Sequence, residues 1–286
     1  MSFRLKAKFL PLLFVVAGCS AAPASESETE LVGEEGAGIV RGQVDTSTPQ
    51  VMALYIPNID GTETLCSGTL YAKRTLVTAA HCLQNAGLVF AYHGNDYWGD
   101  FEEIFEDPAL WTHWSMSTEW KLHPGWNPST LSSDIAVVHL DRDPPFAPLP
   151  LALKPVTDAD LRKPVQIVGY GATGTDPTGT QGIDAYVRRS GQTVYQGFPI
   201  VRPMPTNPHP GLADRSIRKQ LMQLKGTAPS ANSCYGDSGG PALMRASGKA
   251  QLVGVASWTG DFCESFSYYV RTYDYLPFLV KSVAPR

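Results

Sequence analysis

The chain has no apolar run long enough to cross a bilayer: its leading stretch, Phe9 to Val16, falls far short of the ~20 residues a spanning helix needs. Helical periodicity is scarce, which argues against a helix bundle. No Cys-x-x-Cys pair is present, and no Glu sits between two histidines at one-turn spacing, so the close ligand spacings of a zinc site are missing. Basic residues are too few and too scattered to form a stripe. With 23 Lys and Arg against 27 Asp and Glu, the formal charge is −4, which leaves no surface for nucleic acid.

What is present begins with an export signal. Arg4, Lys6 and Lys8 precede the short apolar run, and small residues follow, so residues 1–18 read as a signal peptide. Their removal takes away three cations and no acid, moving the formal charge from −4 to −7. Val16, Ala17, Gly18 and Cys19 look like a bacterial lipobox, in which Cys19 is lipidated after cleavage; the alternative is a cysteine inside an ordinary signal peptide. Ser20 resembles the residue that follows the lipidated cysteine in outer-membrane lipoproteins. The expected location is therefore the outer membrane of a bacterium, held through the lipid at Cys19, or otherwise the secreted fraction. Residues 19–38 carry Glu26, Glu28, Glu30, Glu34 and Glu35 with no cation, a composition that cannot bury a core and reads as a linker or propeptide.

From Ile39 the composition becomes globular, and residues 39–286 are long enough for one large domain or two packed subdomains. Short alternating or apolar runs between Gly, Pro, Asn and Asp clusters give an all-β class. Strands are expected near 50–56, 64–70, 75–79, 87–92, 117–122 and 134–140. A second set falls near 164–170, 183–195, 219–225, 241–246, 250–258 and 266–272. Between the sets, Pro144, Pro145, Pro148, Pro150 and Pro155 resist both helix and central strand and suit a connector. A short helix is expected over about 273–283, with Pro277 in its first turn.

The chemistry centres on Gly236, Asp237, Ser238, Gly239, Gly240 and Pro241. A serine between glycines has an accessible hydroxyl and backbone N–H groups free to face a substrate. A serine hydroxyl is a poor nucleophile at neutral pH and needs a base to take its proton. A histidine needs a carboxylate to hold its tautomer. Both types occur upstream, His81 within Thr78, Ala79, Ala80, His81, Cys82 and Asp134 ahead of the apolar Ile135 to Leu140. His93, His113, His123, His139 and His209 lack such context and read as ordinary loop or surface residues.

With these three segments in the order His, Asp, Ser, the chain resembles the chymotrypsin-like (trypsin-like) serine proteases from Ile39 onward, in the form of a bacterial lipoprotein-type member. The resemblance implies two six-stranded antiparallel β-barrels packed together, about 39–142 and about 160–272, followed by the short C-terminal helix. It implies Ser238 as nucleophile, His81 as general base and acid, and Asp134 as its orienting carboxylate. Gly236 and Ser238 would supply the oxyanion hole. Five cysteines become four once Cys19 carries lipid, and four allow three pairings; the resemblance implies Cys66–Cys82 and Cys234–Cys263. Four free thiols or a metal site are the alternatives, and no metal is expected.

The same resemblance implies an activating cut that frees Ile39, whose ammonium pairs with Asp237. Ile39, Val40, Arg41, Gly42 departs from the family's Ile-Val-Gly-Gly at Arg41. No Lys or Arg lies between Phe9 and Val40, so the unknown activating protease is not of the trypsin type. Asn232, six residues before Ser238, would lie at the base of the primary pocket, where an acid would attract Arg or Lys. Ser257, Trp258 and Thr259 resemble the segment that pairs with extended substrate, and β-branched Thr259 would narrow the pocket mouth, with Ser267 or a neighbour forming the other wall. The expected substrate is a protein or peptide cut after a small or medium uncharged residue, with no cofactor required. The acidic loop 96–107 reads as solvated, with Ca2+ as the alternative. The proline-dense stretch 199–210 reads as a rim or a stiff excursion. A silent binding module on the same scaffold and an esterase are the competing functions.

Overall fold

A computed structural model describes residues 39–117, 119–175, 182–183, 185–199 and 211–285. The signal peptide, the Cys19 lipidation site, the linker 19–38 and all but the first residue of the proline-dense stretch 199–210 lie outside the described residues. The described residues all belong to one compact unit.

The strands of the first barrel are β2 (Val51–Pro57), β3 (Glu63–Ala72), β4 (Thr75–Thr78), β5 (Val89–Tyr92), β6 (Trp114–Ser117), β7 (Glu119–Leu122) and β8 (Ala136–His139). They pair antiparallel in the order β6-β5-β2-β3-β4-β8-β7. The second barrel contains β1 (Gln43–Val44), β9 (Pro164–Gly169), β12 (Arg189–Gly197), β13 (Leu221–Lys225), β14 (Pro241–Ala246), β15 (Lys249–Thr259) and β16 (Phe266–Arg271). Their order is β1-β12-β13-β16-β15-β14-β9, and the additional β12–β9 pairing closes the sheet on itself. A two-stranded ribbon, β10 (Gly174–Thr175) with β11 (Gly182–Ile183), stands apart. A six-residue helix, Leu276–Lys281, ends the fold, with Pro277 in its first turn.

Three details differ from the expectation. The run 183–195 is two strands, and between them Tyr186 takes φ +89°, outside the β region that a residue with a side chain holds in a strand. The run 117–122 extends back to Trp114 as a separate strand that pairs with β5. Gln43–Val44 pairs with Arg189–Ser190, so the start of the domain belongs to the second barrel's sheet and not the first.

One apolar core joins the barrels: Val51, Tyr92 and Ile135 from the first pack with Tyr170, Leu243 and Leu252 from the second and with Leu279 of the terminal helix. Each such side chain, fully buried, contributes about 1.5–3 kcal/mol. Arg188, 3% exposed, crosses the same seam and donates to the carbonyls of Asp45, His93 and Gly94 and to the Tyr170 hydroxyl. The seam is where the ends of β4, β8 and β15 meet the loop carrying Ser238.

Candidate active site

His81 lies in the one-turn helix Ala80–Leu83 that follows β4, and Asp134 lies two residues ahead of β8, which pairs with β4. That pairing brings the two residues together across 53 positions of sequence. Asp134 is wholly buried, and its carboxylate accepts from the His81 N–H at 2.8 Å, from His81 Nδ1 at 2.8 Å and from the Ser257 hydroxyl at 2.6 Å. Nδ1 therefore carries the proton and Nε2 is left as the acceptor. Burial pushes the His81 imidazole down, but the Asp134 charge and hydrogen bond outweigh it, and the net shift is upward.

Ser238 sits in the turn between Cys234 and β14. Gly236 has φ +92° and Gly239 φ +83°; a Cβ on Gly239 would also stand 2.0 Å from Thr78 Oγ1. Only glycine enters this conformation freely and leaves that space. Tyr235 O accepts from Ala172 N at 2.7 Å, and Asp237 O accepts from Gly240 N at 2.8 Å. In a trans peptide the N–H points opposite to its carbonyl. Both anchors therefore turn the Gly236 and Ser238 N–H groups away from Ala172 N and Gly240 N respectively. Ser67 on β3 holds the turn from beneath, donating its N–H to Ser238 O at 2.8 Å and its hydroxyl to Gly236 O at 3.0 Å.

His81, Gly236, Ser238, Ser257, Trp258 and Thr259 line one cavity of about 610 Å³. Tyr235, which precedes the Gly236 run, lines it too, as do Leu65, Leu131 and Phe262, residues with no motif to mark them in the sequence. A second cavity of about 470 Å³ shares Leu65, Tyr235 and Gly236 with the first and is walled also by Trp98 and Tyr186.

Asn232 is not on that surface. It is wholly buried, and its amide nitrogen donates to Cys263 O at 2.9 Å and to Thr259 Oγ1 at 3.2 Å. Thr259 Oγ1 in turn donates to Ser233 O at 3.0 Å. The threonine thus bonds to both segments, and Asn232, its amide engaged internally, is not among the residues that line the cavity, which corrects the expectation that Asn232 meets substrate. Ser267 is likewise buried, paired in register with Thr259. The hydroxyl of Ser257 faces Asp134 instead of substrate, a role the sequence did not reveal.

Disulfides join Cys66 to Cys82 beneath His81 and Cys234 to Cys263 across the pocket walls. Among the described residues, one group of three His, Cys, Asp or Glu side chains converges as metal ligands would, namely Cys66, His81 and Cys82. Both of its sulfurs are consumed in the disulfide, so no thiolate is available to a metal. In the acidic loop, Asp96 caps the helix Tyr97–Glu103 and Asp107 caps Pro108–His113. Asp100 accepts from the Tyr92 hydroxyl and from His113 Nδ1, each at 2.7 Å.

Asp237 is buried beside Gly169 and Gly171, and it accepts from Cys234 N and Gly171 N, each at 2.8 Å. Burial raises its carboxyl to about 7 despite those two hydrogen bonds. Ile39 is wholly buried among Val165, Ile167, Ala231 and Ala242.

Comparison with known proteins gives one consistent result. The trypsin family model matches residues 39–279. Trypsin alpha-4 of Lucilia cuprina is 28% identical over 213 residues, covering 71% of this chain and 70% of the relative. Trypsin beta of Drosophila erecta is 29% identical over 209 residues, covering 71% of each. A solved collagenase structure superposes with a TM-score of 0.64 at 20% identity, over 87% of this chain and all of the collagenase.

Proposed function

The chain belongs to the trypsin family and is a serine endopeptidase, and from that premise we propose that Ser238 is its nucleophile, acting on peptide bonds that follow small or medium uncharged residues. The observation that carries this reading is the His81–Asp134–Ser257 hydrogen-bond chain at the edge of a cavity that Ser238 also lines. His81 Nε2 takes the Ser238 proton as the hydroxyl oxygen attacks the substrate carbonyl carbon. The Gly236 and Ser238 N–H groups receive the oxyanion. His81 then returns the proton to the leaving amine, and water, activated the same way, releases the acyl group. Thr259 supports the size limit, since its β-branched side chain lines the cavity and its hydroxyl bonds across to Ser233 O.

The matured enzyme incubated with a peptide library is expected to cut mainly after Ala, Ser, Thr or Val. Dominant cleavage after Arg or Lys would refute the specificity, and no cleavage at all would refute the activity.

Maturation is part of the proposal. A cut after Gly38 would give Ile39 an ammonium, and burying it beside the Asp237 carboxylate compensates two charges that are costly to bury singly. The raised Asp237 carboxyl supports this, because it is held near its neutral form until a cation arrives. The Val16–Cys19 lipobox supports a lipid anchor in an exported, outer-membrane protein of a bacterium, and the two disulfides suit an oxidising compartment. The relatives named above are insect proteins and lend the anchor no support. Cys19→Ser is expected to move the protein from the membrane to the soluble fraction, and unchanged partition would exclude lipidation.

A further inference from the structure

Arg41 stands where the family's amino terminus has a glycine, and its backbone shows why a glycine would suit the place. Arg41 has φ +61° and Ile39 has φ +53°, a region that residues with a Cβ enter only against steric resistance. Such strain persists where surrounding contacts over-determine it. Here the contacts come from the arginine itself.

All three guanidinium nitrogens are engaged. Nε donates to Ser230 O at 2.8 Å, Nη1 to Glu264 Oε2 at 2.7 Å, and Nη2 to Gly226 O. Gly226 and Ser230 lie on the segment that leads through Asn232 and Cys234 to Ser238. Glu264 follows Cys263, which is on the opposite wall. One planar fork thus ties the Ile39–Gly42 segment to both walls of the primary pocket, whose own cross-links are the Cys234–Cys263 disulfide and the Asn232 and Thr259 bonds. The backbone adds a bond from Asn232 N to Val40 O at 3.1 Å.

We infer that Arg41 is a positioning residue: it latches the amino-terminal segment against both pocket walls, so that docking of Ile39 rests on the arginine as well as on the Asp237 pair. The inference deepens the maturation reading above and rests on it. Arginine suits the task because its charge persists at any pH the fold tolerates and its five donors lie in one fixed plane. A lysine in its place presents a single nitrogen and cannot span acceptors on both walls.

The test reads the Ile39 amine directly. Full-length chain carrying Gly38→Lys, cut by trypsin to expose Ile39, is treated with cyanate, and carbamylation of the Ile39 amine is followed by mass spectrometry with exposed lysines as internal reference. A docked amine is shielded. Arg41→Gly is expected to raise its carbamylation at least tenfold over the same protein with Arg41 intact, with the lysine rates unchanged. Arg41→Lys and Glu264→Gln should fall between, at a few-fold. Equal Ile39 rates in all four proteins would overturn the inference. If circular dichroism shows Arg41→Gly unfolded, the two milder variants decide in the same terms. Because the readout is the amine and not Ser238, a chain without peptidase activity would still report the latch, and loss of the activity reading is seen separately by active-site labelling.

Discussion

Asp134→Asn is expected to lower the acylation rate of the matured enzyme about 10⁴-fold, the loss associated with a wrong histidine tautomer in the Ser-His-Asp template, while leaving the fold intact. Asp134 accepts three hydrogen bonds and has no solvent contact of its own. An amide can turn its nitrogen toward His81 Nδ1, which forces that atom to accept and puts the proton on Nε2, where it cannot take another from Ser238. The pH dependence follows from the same contact. His81 must be neutral to act as base, and the Asp134 charge and hydrogen bond overcome desolvation to raise it above its ordinary value. Activity should therefore rise with pH through a midpoint above ~6.5 in the wild type. In Asp134→Asn the charge is gone and desolvation acts alone, so the midpoint of the residual activity should move to lower pH. Labelling rates between pH 5 and 9 measure both effects; a variant within tenfold of wild type would show that Asp134 does not orient the base.

Thr259→Gly is expected to redirect the enzyme toward larger residues. The Thr259 hydroxyl joins Ser233 O on one wall to the Asn232 amide beneath it. Removing that side chain should open the pocket down to Asn232, whose neutral amide gives no anchor for Arg or Lys. Added apolar contact in such a pocket is worth about 1–3 kcal/mol per methylene-sized group, or roughly 10- to 200-fold in relative kcat/KM. Cleavage after Leu, Met or Phe should therefore gain at least tenfold against cleavage after Ala in a peptide library. An unchanged profile would mean that Thr259 does not limit the pocket.

Much of the site could be read from the sequence because its requirements are local. The Gly236–Pro241 run encodes its own turn, with glycines where φ is positive. The alternation of apolar residues gave the strands closely, so that Thr75–Thr78 and Pro241–Ala246 fall within or on the expected ranges. What escaped depends on which way a single side chain turns. Asn232 and Thr259 have the residue types of a pocket base and mouth, but the Asn232 amide turns to Cys263 O and Thr259 Oγ1, so that of the two only Thr259 lines the cavity. Ser257 could not be told from a substrate-facing serine until its hydroxyl was found on Asp134. Tyr186 and Arg41 hold positive φ with no glycine or asparagine to announce it. Arg41 counted against the family resemblance in the sequence, yet its side chain binds the very segments that build the pocket.

The central claim is that Ser238 is an activated nucleophile, and a fluorophosphonate probe tests it most directly. The matured protein should be labelled on Ser238 at neutral pH, the uncut chain much more slowly, and Ser238→Ala not at all. Labelling that persists in Ser238→Ala, or a matured wild type that stays unlabelled, would contradict the account.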